Sequence, residues 1–146
     1  MALPEPLPGL VIRYSYLWHS EFLDGREDGV KDRPCAIVAA IKADADGDTR
    51  VLVLPVTHSP PARGTPAVEI PPAIKKQLKL DADRSWVVLS EWNEFVWPGP
   101  DLRRGARGDE ASVAYGFPPR GFYAAVRDRF IEAVHSGRAE RVRRTE

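Results

Sequence analysis

CAIVAAIKADADGDTRVLVLPV, residues 35–56, contains two apolar runs, 35–41 and 50–56, on either side of Asp44-Ala-Asp-Gly-Asp48. Short aliphatic and β-branched runs bounded by Asp and Gly read as strands, and an Asp-Gly pair between them reads as a hairpin turn. An antiparallel hairpin sets the start of its first strand beside the end of its second. The segment before residue 35 therefore meets the segment after residue 56. Those segments are Lys31-Asp-Arg-Pro34 and Pro55-Val-Thr-His-Ser59, so Arg33 and Thr57 are expected at one edge of the sheet.

Before the hairpin, GLVIRYSYLW (9–18) alternates Leu10, Ile12, Tyr14 and Tyr16 with Val11, Arg13, Ser15 and Leu17, the period of a strand. Residues 19–33 mix acids and His19 with Gly25 and Gly29 and read as a long polar loop. After the hairpin, Pro60, Pro61, Gly64 and Pro66 mark a second loop, and 67–70 is a short strand. Pro71-Pro72 opens a brief helix through Leu78, because proline is tolerated in a first turn. SWVVLS (85–90) and residues 94–97 are further strands, the latter stopped by Pro98-Gly-Pro100, and 101–115 is loop-like. Beyond Pro118-Pro119, Phe122, Ala125, Val126, Phe130, Ala133 and Val134 share one helical face, and Gly137 supplies the stop. The expected fold is mostly β with α: a small, curled, mostly antiparallel sheet or barrel with a C-terminal amphipathic helix.

A chain of 146 residues suits a single domain, with a core over about 9–137 and a basic tail at 138–146. At 43% hydrophobic and 29% charged it is neither disordered nor fibrous. No apolar run approaches the ~20 residues that cross a bilayer, and the start lacks the pattern of a secretion signal. Cys35 is the one cysteine and has no internal disulfide partner, which places the protein in a reducing cytoplasm. The charges cancel, 21 against 21, yet residues 103–146 hold ten Arg against six acids, a local excess of +4. Arg138 to Arg144 is either a polyanion-attracting run or a solvated tail.

The sequence carries little conventional catalytic machinery. A calcium loop starting at Asp44 needs Gly at its sixth position and Glu at its twelfth, and Thr49 and Pro55 stand there. His19, His58, His135 and Cys35 lack the paired spacing of a zinc site, so neither metal nor cofactor is expected. Cys35 with His58 would make a thiol nucleophile and base, but a cysteine inside an apolar strand behaves as a buried hydrophobe. The Arg33–Thr57 edge remains. Arg33 offers a permanent charge and five donors, Lys31 a second charge, and Thr57, His58 and Ser59 hydrogen-bonding or proton-transfer groups, a set suited to a phosphodiester. The competing reading pairs Arg33 with Glu21 or Asp32 and has Thr57 simply close its strand.

Gly9-Leu-Val-Ile with Trp18 after it, Glu21 and Gly29, Lys31-Asp-Arg-Pro-Cys-Ala-Ile-Val38, Val51-Leu-Val-Leu-Pro-Val-Thr57, Trp86-Val-Val-Leu-Ser-Glu91 and Phe95-Val-Trp97 follow one another in an order that resembles the PemK/MazF-like toxin family. The resemblance spans nearly the whole chain. It implies an SH3-like barrel, a homodimer, cytoplasmic cleavage of single-stranded RNA without a metal, and inhibition by a cognate antitoxin protein. Carried over by position, Arg33 matches the family's catalytic arginine and Thr57 its active-site threonine. The RNA's own 2′-OH attacks in such a mechanism, so another group must take its proton. Some members place an acid at the strand end matching residues 88–91. Here Glu91 is the nearest substitute, with His58 and His19 as the other candidates, and Lys31, Ser59 and His19 are candidate substrate contacts. The acidic segment 19–32 is longer than the family's form. The alternative function is a catalytically weak barrel of the same ancestry that binds RNA or protein as a regulatory module.

Overall fold

The structure, a computed structural model, describes residues 3–25, 31–43 and 47–144. The hairpin is its centre: β2 (Arg33–Lys42) and β3 (Thr49–Thr57) pair antiparallel from Lys42↔Thr49 to Cys35↔Pro55. Asp44 and Asp46 of the expected turn, and Gly29 of the preceding loop, lie outside the described residues. A register shift between Ile37 and Ala39 makes a bulge at Val38. Cys35, Ile37, Val51 and Val53 face a core with Ile12, Tyr14, Tyr16 and Phe95. Val38, Leu54 and Val56 face the opposite way, into a second core with Val87, Leu89, Val126 and Phe130. Burial on both faces is why these two strands read as apolar runs rather than as an alternation.

β1 (Val11–Tyr14) pairs with the free edge of β2, with Tyr14 opposite Arg33. β7 (Ala114–Gly116) pairs in turn with β1. On the far edge of β3, β5 (Trp86–Val88) takes Val56 and Thr57, while β6 (Glu91–Val96) takes Arg50 to Val53. β4 (Ala67–Glu69) adds to β5. The result is one mostly antiparallel sheet of eight strands, and it is open, running from β4 to β7. Ladder closure into a barrel is not formed among the described residues. Where the chain after β1 crosses toward β6, a side chain makes the link: Asn93 Oδ1 accepts the Leu17 N–H at 2.9 Å and its Nδ2 donates to the Leu17 carbonyl at 2.8 Å. The carboxamide stands where a strand backbone would otherwise pair.

The helices follow their sequence signals. α2 (Pro72–Gln77) has proline in its first turn. α3 (Arg120–His135) buries Val126, Phe130 and Ala133, with Trp92 meeting Phe130 edge-on at 5.4 Å in the second core, while Ala125 and Val134 of the expected face are exposed. No helix among the described residues is long and apolar enough to cross a membrane.

Three segments depart from expectation. The stretch 101–115, expected as a loop, ends in β7. The polar loop begins with a short helix, α1 (His19–Leu23), whose first turn is capped by Glu21 Oε1 accepting the Trp18 N–H at 3.0 Å. The expected basic tail is instead a strand, β8 (Glu140–Arg143), parallel to β6. Val142 is fully buried, and Arg144 donates to the Ser15 carbonyl at 2.6 Å and pairs with Asp101 at 3.1 Å. Trp92 and Trp97 find aromatic partners within the chain, Phe130 and Phe95.

Candidate functional site

A cleft of about 640 Å³ opens where β2 begins and β3 ends, and Arg33, Thr57, His58 and Glu91 all line it. The register explains the convergence. The ladder ends at Cys35↔Pro55, and two residues further along each strand stand Arg33 and Thr57, both at the cleft. Arg33 Nη1 donates to the Val56 carbonyl at 3.2 Å, and its guanidinium lies 4.8 Å from the centre of the Trp18 ring. Its Nε is buried without an acceptor, an exception that native structures keep few of. Arg33 forms no ion pair among the described residues. Asp32 is engaged instead by Arg13 at 3.7 Å and Arg103 at 3.4 Å. The carboxylate pairing that competes for Arg33 in the sequence is therefore not made.

Thr57 Oγ1 accepts the Ser59 N–H at 3.1 Å, a local turn that fixes the hydroxyl and leaves its proton for a ligand. Lys31 and Ser59 are exposed at the cleft wall. His19 does not line the cleft. Its contribution is its backbone N–H, which donates to Glu91 Oε1 at 2.8 Å beside the Tyr16 hydroxyl at 3.1 Å. Burial pushes the Glu91 carboxyl above its ordinary value even though these two donors act against it. Both donors fall on Oε1, and Oε2 has no protein partner among the described residues.

His58 belongs to a cluster that sequence reasoning missed. Its Nε2 lies 2.8 Å from Asp81 Oδ2, and its Nδ1 lies 3.0 Å from Ser85 Oγ and 3.1 Å from the Arg84 carbonyl. Beneath them the buried Lys75 ammonium donates to Asp81 Oδ1 at 2.8 Å, to Ser85 Oγ at 2.7 Å and to the Asp83 carbonyl. Partial burial would raise the Asp81 carboxyl, but the Lys75 ammonium, His58 and the Asp83 N–H together hold it below its usual range. Both imidazole nitrogens are thus committed to protein groups, which makes His58 an anchor for the chain next to Thr57 and leaves Glu91 as the carboxyl with an open oxygen. His58, Asp81 and Asp83 each bring a ligand atom within 4.8 Å of the others, yet Lys75 already supplies that cluster with a cation.

Cys35 is fully buried and its thiol is pushed far up by that burial, so the Cys35–His58 nucleophile pair is not formed. Set against family models, curated proteins and solved structures, the chain matches none.

Proposed function

We propose that this cleft cuts single-stranded RNA by attack of the substrate's own 2′-OH, and that the chain is a PemK/MazF-like toxin whose curled sheet is a variant of the SH3-like barrel. The observation that carries the reading is an arginine without a carboxylate partner set across a hairpin edge from a threonine hydroxyl, with a carboxyl in the same cleft. Arg33 stabilises the charge that builds on the phosphorane oxygens, and the Thr57 hydroxyl donates to one of them. Glu91 takes the 2′-OH proton. The 2′ oxygen bonds to phosphorus, the bond to the 5′ oxygen breaks, and that oxygen leaves with a proton from cleft water, giving a 2′,3′-cyclic phosphate and a 5′-OH. A carboxyl raised by burial is better matched to proton transfer near neutral pH than an ordinary one. The reaction calls for no protein nucleophile, in keeping with a buried Cys35.

The same reading carries a homodimer and an antitoxin that covers the cleft. Expression in a bacterial host tests it: the wild type arrests growth and Arg33→Ala does not. RNA that binds in the cleft but is never cut favours the regulatory binding module, a reading that the protein contacts already made by Thr57 Oγ1 and Glu91 Oε1 support.

A further inference from the structure

We infer that the cleft takes a run of at least two phosphates, with Lys79 holding the one next to the phosphate at Arg33. The inference rests on the RNA reading above and names how that substrate is held. α2 closes with paired turns: the Lys79 N–H donates to the Lys76 carbonyl at 3.1 Å and the Leu80 N–H to the Lys75 carbonyl at 2.9 Å. This geometry puts the residue after the C-cap in the left-handed region, where glycine is the usual occupant. Lys79 sits there at φ 56°.

Only one other described non-glycine residue has a positive φ, Arg107 at 61°, and its guanidinium is used, donating to the Gln77 and Tyr115 carbonyls. The Lys79 ammonium has no protein partner among the described residues, and the residue is exposed on the cleft wall. Its backbone is fixed on both sides, by buried Lys75 before it and by Leu80 packed on the second core after it. A disfavoured backbone held this firmly, for a side chain that does nothing within the fold, is the kind of cost that functional sites carry.

The charges of the cleft agree. Asp32 is paired with Arg13 and Arg103, and Asp81 with Lys75 and His58, so Glu91 is the one lining carboxyl without an ion pair, against Lys31, Arg33 and Lys79, which form none among the described residues. Several unpaired cations in about 640 Å³ suit a polyanion better than one phosphate.

The test is binding of a random-sequence pool of single-stranded 2′-deoxy oligonucleotides, which are bound through their backbone and cannot be cut, across a salt series. Each lost phosphate contact flattens the slope of log affinity against log salt by about 0.7 for single strands. Lys79→Gly should flatten it by that amount and raise the urea midpoint by relieving the backbone, and Lys79→Arg should keep the wild-type slope. A slope unchanged in Lys79→Gly overturns this inference alone when Arg33→Ala still abolishes RNA cleavage. Wild-type protein that shows no salt-dependent binding overturns both this inference and the RNA reading.

Discussion

Burial opposes the ionised form of Glu91. Its folded state holds a proton more tightly than the unfolded chain. The stabilisation is therefore fully present below the ordinary value of 4.5 and is lost as pH rises through the higher folded value. Glu91→Gln keeps an oxygen for the Tyr16 hydroxyl and the His19 N–H, so above that window it should be at least as stable as the wild type in urea unfolding, while RNA cleavage falls by about 10² to 10⁴. Cleavage at the wild-type rate removes Glu91 as the proton acceptor, and a loss of stability there contradicts the cost of burying its charge. Lys75 supports the site from below. Lys75→Met removes the charged donor shared by the Ser85 hydroxyl, the Asp83 carbonyl and Asp81 Oδ1, leaving them only the weaker contacts among themselves and with His58, and a loss of about 1–3 kcal/mol in chemical denaturation is expected. Arg33 and Thr57 were legible in the sequence because hairpin geometry alone brings strand start to strand end. Lys75, Asp81 and Ser85 were not, since KKQLKLDADR (75–84) has the composition of a solvated surface and nothing local marks Lys75 as the inward-facing lysine.

β8 shows why an element can escape notice. Its apolar signal is Val142 alone, set among arginines, and a strand of four residues offers no period to detect. Its place is set by distant partners: Arg144 reaches the Ser15 carbonyl and Asn93, which in turn holds Leu17. Truncation after Gly137 removes the buried Val142 and this arginine together, so the urea midpoint should drop well below that of the full chain. An unchanged midpoint would mean that 138–144 is a solvated tail after all. β2 and β3 were legible for the opposite reason, being long, aliphatic and buried on both faces. α1 went unseen because five residues beginning at His19 lie in a stretch whose composition is that of a loop.

The described residues form one open, mostly antiparallel sheet with one long helix, and a cleft lies where the central hairpin begins and ends. The antiparallel β character and the terminal helix follow from strand-length runs and one amphipathic pattern. The link between the chain after β1 and β6 runs through the Asn93 carboxamide, which no periodicity reveals. The toxin reading expects a homodimer. Light scattering that returns the 16.3 kDa of one chain at every micromolar concentration would count against it. The most direct measurement is cleavage of a mixed-sequence RNA by wild type and Arg33→Ala in excess EDTA, with analysis of the product ends. The wild type should leave 2′,3′-cyclic phosphate and 5′-OH termini, spare RNA carrying 2′-deoxyribose at the cut site, and lose about 10² to 10³ in rate on Arg33→Ala while that variant stays folded. Cleavage abolished by EDTA, or full activity in Arg33→Ala, would contradict it.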